Sequence, residues 1–194
     1  GPWNIYLRPL GGSGEEKPLF ESPTPFKYPG RWSADGHTLV AETLEEKTGW
    51  DLWTIPVDAP KAVPYLRTPF NERWGAISPD GRWLAYTSDE SGKNEIYVQS
   101  FPTAEEKHQV STAGGFYSLW RRDGRELAFY TIDGLACMAV DVRTDPGFIA
   151  GAPHAAFRFP PGVQTVALAP DFDRALAAVP TASNAPSSLN VLLH

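Results

Sequence analysis

Few residues in this chain have the types and spacing that chemistry requires. The four histidines are His37, His108, His154 and His194, and the single cysteine is Cys137. A metal centre needs His or Cys at short, recurrent separations. None of the histidines stands at such a separation from another or from Cys137, so no metal site is expected. Asp171-Phe172-Asp173 starts like a calcium loop, but Arg174 follows where further oxygen ligands belong. The Gly-x-Ser-x-Gly elbow of a serine hydrolase is approached by Gly11-Gly12-Ser13-Gly14 and fails at Glu15. Ser91-Gly92-Lys93-Asn94 lacks the first glycine and the final hydroxyl of a phosphate-binding loop. The His-Arg-Asp and Asp-Phe-Gly signatures of protein kinases do not occur. Cys137, flanked by Ala136 and Met138, reads as a small buried hydrophobe. The expectation is therefore a non-enzyme, with no catalytic residue, no metal and no cofactor.

Recognition is the better prospect. Three segments together are rich in Tyr, Arg and Trp, the residue types that anchor interfaces. They are Tyr28-Pro29-Gly30-Arg31-Trp32, Asn71-Glu72-Arg73-Trp74 and Gly115-Phe116-Tyr117-Ser118. Within them Tyr28, Arg31, Asn71, Arg73, Phe116 and Tyr117 are the candidates for a channel or partner surface, the ligand itself being unknown. Trp32, Trp74 and Trp120 read as recurring in register, and so as core.

The elements that position these residues come from an internal repeat. Ser33-Ala34-Asp35-Gly36 opens a phrase that returns as Ser78-Pro79-Asp80-Gly81, as Arg121-Arg122-Asp123-Gly124 and, worn, as Ala169-Pro170-Asp171-Phe172. Its Asp steps from 35 to 80 to 123 to 171, spacings of 45, 43 and 48. Asp bonds its own backbone and Gly allows positive φ, so the pair marks a turn between strands. An apolar run follows each turn, as in Trp83-Leu84-Ala85-Tyr86 and Leu127-Ala128-Phe129-Tyr130. Strict alternation would mean one wet face, whereas a continuous run means that both faces are covered. A second phrase comes next, in Asp51-Leu52-Trp53, Asn94-Glu95-Ile96-Tyr97 and Leu135-Ala136-Cys137, with a copy at the front in Trp3-Asn4-Ile5-Tyr6 and another at the end in Leu189-Asn190-Val191. Fourth segments run over Ala62 to Arg67, His108 to Thr112 and His154 to Phe159.

Four short strands per period of about 40 to 50 residues is the pattern of a β-propeller. The fold class is all-β, a propeller of four-stranded antiparallel blades, with full blades over 27–68, 69–113 and 114–160 and partial blades over 1–26 and 161–194. A β-sandwich is the rival, but it does not require the same Asp-Gly turn at this period. The composition agrees: 12% aromatic residues, 19 Pro and 17 Gly suit many strands and tight turns. A net charge of −6 and a pI near 5.2 give no basic footprint, so no nucleic acid is expected. No apolar run approaches the ~18 residues of a membrane span, and direct membrane contact is not expected. No signal peptide is visible, and the opening Gly1-Pro2 reads as a scar of tag cleavage.

The run Ser78-Pro79-Asp80-Gly81-Arg82-Trp83-Leu84-Ala85-Tyr86-Thr87-Ser88, followed by Asn94-Glu95-Ile96-Tyr97-Val98, resembles the TolB-like β-propeller repeat. Gly49-Trp50-Asp51-Leu52-Trp53, Pro69-Phe70-Asn71-Glu72 and Trp120-Arg121-Arg122-Asp123-Gly124-Arg125-Glu126-Leu127 resemble, more narrowly, the C-terminal propeller of bacterial membrane-attached serine/threonine kinases and related regulators. That resemblance implies a sensor or protein-interaction module, placed outside the cytoplasm. The same repeat accompanies prolyl-oligopeptidase-type hydrolases, where the propeller gates the active site. A propeller of six such blades needs roughly 260 residues. The first and last partial blades could pair with each other, or two chains could join their open edges as a homodimer; the chain is expected to self-associate or to be a fragment of a longer protein.

Overall fold

Asp-Gly turns and two-sided apolar strands generate the architecture. In a computed structural model, residues 1–10, 14–159, 163, 165–178 and 191–193 are described. The Gly11-Gly12-Ser13 segment, Leu189, Asn190 and His194 lie outside them. The described residues form no helix, and so none long and apolar enough to cross a membrane.

Among the described residues, eighteen strands fall into consecutive antiparallel sheets. Strands β1 (Ile5–Leu7) and β2 (Lys17–Phe20) make a two-stranded sheet. Strands β3 (Phe26–Trp32), β4 (Thr38–Glu45), β5 (Gly49–Pro56) and β6 (Val63–Leu66) follow as a meander of four. So do β7 (Glu72–Ile77), β8 (Trp83–Ser88), β9 (Glu95–Ser100) and β10 (Lys107–Gln109). The next sheet holds β11 (Phe116–Trp120), β12 (Glu126–Tyr130), β13 (Ala136–Arg143) and β15 (His154–Arg158). Here β13 is long enough to pair also with the two-residue β14 (Ile149–Ala150), an addition absent from the other sheets. The last sheet contains β16 (Thr165–Leu168), β17 (Arg174–Ala178) and β18 (Val191–Leu193). This is a partial β-propeller.

The second strand of each sheet explains why the sheets must stack. Successive side chains of a strand point to opposite faces. In β4, Leu39 and Ala41 join Ile5, Phe20 and Ile55 in one core, while Val40 joins Leu52, Leu84 and Tyr86 in the next. In β8, Trp83 and Ala85 turn away from that second core into a third, with Ile96, Leu127 and Phe129. In β12, Ala128 and Tyr130 reach a fourth core that includes Cys137 and Phe159. Each core thus lies between two neighbouring sheets. Every residue of β8 is buried, a state possible only for a strand covered on both faces.

The turns recur with the same bonds. Ser33 and Ser78 each donate a hydroxyl to the Asp two residues on, at 2.5 Å. The Asp35, Asp80 and Asp123 carboxylates accept the amides of His37, Arg82 and Arg125. Beside Asp123, the Arg121 guanidinium draws the carboxyl down to about 2. Gly36, Gly81 and Gly124 have φ of 76°, 73° and 71°, the left-handed region that favours glycine. Phe172 takes the same conformation, at 62°, in the worn copy. An additional Thr131-Ile132-Asp133-Gly134 turn of identical bonding joins β12 to β13. The first two sheets are tied by buried Lys27, which donates to the carbonyls of Trp3, Ser22 and Thr24. Burial lowers its pKa, with Glu45 opposing.

Truncating Leu84 to Ala is expected to cost about 2–5 kcal/mol, since the side chain is fully buried between two sheets. Gly81→Ala has open space for its Cβ and is expected to cost only about 1 kcal/mol, from backbone conformation alone. Urea denaturation followed by tryptophan fluorescence checks both, and equal costs would contradict this account of the repeat.

Candidate functional site

The inner strands β3, β7 and β11 lie side by side where the sheets converge, and each is broken by a bulge. Regular pairing lapses between Pro29 and Trp32, between Arg73 and Ala76, and between Phe116 and Leu119. Bulges twist a strand and re-aim a side chain. Two of these hold bulky residues at positive φ, Trp74 at 55° and Tyr117 at 56°. Such residues are strained, and the surrounding structure must hold them there.

What holds them is the preceding sheet. The Trp74 amide donates to Glu42 Oε1 at 2.6 Å, and the Tyr117 amide donates to Thr87 Oγ1 at 3.1 Å. Glu42 and Thr87 occupy the same place on β4 and β8, three residues beyond Leu39 and Leu84. Each bulge amide is therefore capped by a side chain of the neighbouring second strand. Tyr130 stands at the equivalent place on β12; its ring stacks on Tyr117 at 6.0 Å, and burial pushes its phenol up to about 12.

Two arginines cross this face. Arg73 lies 3.8 Å from the Trp50 ring and 4.5 Å from the Trp74 ring, with Nε 3.3 Å from Glu42 Oε2. Arg31 lies over the Tyr117 ring at 4.5 Å, and its Nη1 donates to the Ser118 carbonyl at 2.7 Å, tying β3 to β11. Guanidinium planes stack well on aromatic faces. Tyr28 closes the edge against Trp50, with ring centroids 5.6 Å apart.

These groups surround a cavity of about 280 Å³, lined by Tyr28, Arg31, Glu42, Arg73, Trp74 and Tyr117 above Gly30 and Gly75. The two glycines are where the inner strands press on Val40: a Cβ on Gly30 would lie 2.7 Å from its carbonyl oxygen. The structure brings four sequence candidates together here, Tyr28, Arg31, Arg73 and Tyr117. Asn71 lies in the adjoining hollow of about 310 Å³, and its hydrogen-bonding groups are engaged. Its amide and Nδ2 donate to Asp89, and its Oδ1 accepts the Trp50 amide. Phe116 lies in a third hollow of about 320 Å³, between Tyr130 and Phe159.

The reading of Trp32, Trp74 and Trp120 as equivalent core positions is corrected. Trp32 and Trp120 stand three residues before Asp35 and Asp123, but Trp74 stands six before Asp80. Trp74 is a cavity residue, Trp32 is 47% exposed, and only Trp120 packs against a core, its indole donating to the Ala76 carbonyl. Glu42, Trp50 and Tyr130 were not foreseen as site residues. A carboxylate inside the apolar run Leu39-Val40-Ala41-Glu42 was the available signal.

Cys137 is buried in the fourth core, and desolvation pushes its thiol up to about 12, so it stays neutral. His37 is exposed beside Asp58, and His108, on the outer strand β10, lies beside Glu106 with its ring against Trp83 and Phe148. No group of three or more His, Cys, Asp or Glu among the described residues is placed to hold a metal ion.

The geometry of stacked antiparallel sheets with converging inner strands is that of β-propellers, and solved structures agree. The chain is similar to a TolB from Agrobacterium tumefaciens, with 19% identity, 81% of this chain and 57% of that one covered, and a TM-score of 0.65. It is also similar to TolB from Acinetobacter baumannii (16% identity, 92% and 43% covered, TM-score 0.63) and to a prolyl endopeptidase (13%, 90% and 26%, 0.61). The chain therefore spans about half the length of the TolB structures it matches. The sequence matches no protein-family model and no curated protein.

Under the site, Glu72 is 1% exposed and accepts the Thr68 hydroxyl, while its Oε2 has no protein partner. Desolvation, reinforced by buried Asp51, pushes its carboxyl up to about 7. Because the folded state holds this proton more tightly than the unfolded chain, stability is greatest below the unfolded value near 4.5 and falls as pH rises through 7. Glu72→Gln is expected to gain ~2 kcal/mol over the parent at pH 8 and nothing at pH 4.5. Urea midpoints at the two pH values measure the difference, and a pH-independent one would contradict the assignment.

Proposed function

We propose that this chain is a non-catalytic propeller module that binds a protein or small ligand on its inner-strand face, as part of a larger bacterial protein. One observation carries the reading: two strained bulges, capped from the neighbouring sheet, aim Trp74 and Tyr117 at a cavity shared with Arg31 and Arg73. Strain of this kind persists where the surroundings enforce it, and it concentrates at binding and switch sites. The sensor role follows from the resemblance to kinase-associated propellers.

A second reading is a gating propeller of a prolyl-oligopeptidase-like hydrolase, which the likeness to a prolyl endopeptidase favours. A Gly-x-Ser-x-Gly domain encoded beside this chain would support it, and an encoded kinase domain and membrane span would support the first.

Nuclear magnetic resonance with a pooled tripeptide library tests the binding face. Shifts are expected at the Trp50 and Trp74 indoles and at Arg73, and they should vanish in Tyr28→Ala combined with Arg73→Gln. Peptide-induced shifts confined to the outer strands β6 and β10 would defeat the reading.

Self-association through open edges belongs to the same proposal. Among the described residues, β1 pairs only with β2 and β18 only with β17. An unpaired strand edge invites a partner strand. Light scattering across a concentration series is expected to show a dimer above the 21.3 kDa chain mass, and an invariant monomer would refute it.

A further inference from the structure

We infer that the cavity between β3, β7 and β11 is a carboxylate pocket, taking an acidic side chain or a C-terminal carboxylate of a bound peptide, with Arg31 as its counter-charge. This inference rests on the proposed binding role of the inner-strand face and specifies its ligand.

Arg31 carries the argument. Three arginines are half-buried among the described residues: Arg31, Arg73 and Arg121. Arg73 is paired with Glu42, and Arg121 with Asp123 and Glu126. Arg31 has no carboxylate within 4.0 Å among the described residues, and its one hydrogen bond goes to a neutral carbonyl, that of Ser118. Its Nη2 is shielded from solvent and has no acceptor. A cation withdrawn from water without a counter-ion is costly. The same withdrawal strengthens its attraction for an anion that reaches it.

The cavity carries that charge outward. Its one acidic wall residue, Glu42, is already engaged, with Oε2 on Arg73 and Oε1 on the Trp74 amide. The lining is thus left with one uncompensated positive charge. Tyr117 holds the Arg31 guanidinium against its face, so little side-chain freedom remains to be lost when an anion binds. Tyr28 is still 39% exposed, offering a flat wall for the carbon atoms of a ligand, while the faces of Tyr117 are taken by Arg31 and Tyr130. A volume of about 280 Å³ lies just below the ~300–1,000 Å³ typical of ligand sites, which suits one acidic residue better than a nucleotide. Guanidinium and carboxylate match in shape as well as in charge.

The test uses the intact chain and small probes, followed by nuclear magnetic resonance titration at low salt. N-acetyl-aspartate amide presents a side-chain carboxylate, N-acetyl-alanine a terminal one, and N-acetyl-asparagine amide is the neutral isostere of the first. One or both acids are expected to shift Tyr117, Trp74 and the Arg31 Nε–H, and to bind at least tenfold more tightly than the amide. Whichever acid binds more tightly identifies the carboxylate's source. Arg31→Gln is expected to remove that preference, and Arg31→Lys to restore part of it. If Arg31→Gln fails to fold, the comparison of acid with amide on the parent chain decides alone. Equal binding of acid and amide at this cavity overturns the carboxylate inference and leaves the binding face intact, as does binding of inorganic phosphate in preference to both acids. No shift at the cavity with any probe overturns the inference; only silence from the tripeptide library as well removes the binding face.

Discussion

Two-sided burial of the second strands is the constraint on which the rest of this structure depends. A strand such as β8, apolar on both faces, cannot be stable at a surface, so a sheet must lie against each side of it. Leu84 and Tyr86 bind it to the preceding sheet, and Trp83 and Ala85 to the following one. Stacking repeats in one direction because the three middle sheets carry the same two-faced strand at the same place. The inner strands then converge as a geometric result.

Convergence creates a difficulty that the bulges resolve. Where β3, β7 and β11 come together, little room is left for side chains, and Gly30 and Gly75 mark the closest approaches to Val40. Inserting an extra residue frees an amide from the ladder, and a buried amide needs a partner. Glu42 and Thr87 supply one from the neighbouring second strand. The same strand that buries apolar side chains on both faces thus also caps the next bulge with its polar residue. Packing and site are coupled through adjacent positions, Ala41 in a core and Glu42 at the cavity.

Electrostatic asymmetry follows from that coupling. At one bulge the capping group is a carboxylate, which also pairs with Arg73; at the next it is a neutral threonine, and Arg31 finds only a carbonyl. The same face therefore carries one neutralised and one uncompensated guanidinium. Repetition sets the frame, and the departures from repetition make one part of the face chemically distinct.

The repeat itself was legible without coordinates. Asp35, Asp80 and Asp123 with their following glycines set the period, and the continuous apolar runs implied cover on both faces, because turn chemistry and strand periodicity are local properties of the chain. Four of six site candidates, Tyr28, Arg31, Arg73 and Tyr117, were also visible from residue type and position before the Asp-Gly turn, and they share one cavity. Other features were decided only by tertiary structure. Trp74 was misread as core because a bulge shifts it off the ladder, and residue type does not reveal a left-handed φ in a tryptophan. Asn71 was a candidate for the partner surface, yet it is bound to Asp89 and the Trp50 amide, partners 18 and 21 residues away. Arg31 meets Ser118 across 87 residues, and whether a buried charge finds a partner at such a distance depends on how the sheets stack. Local sequence dictates strand and turn, whereas the pairing of side chains between sheets is a property of the assembled stack.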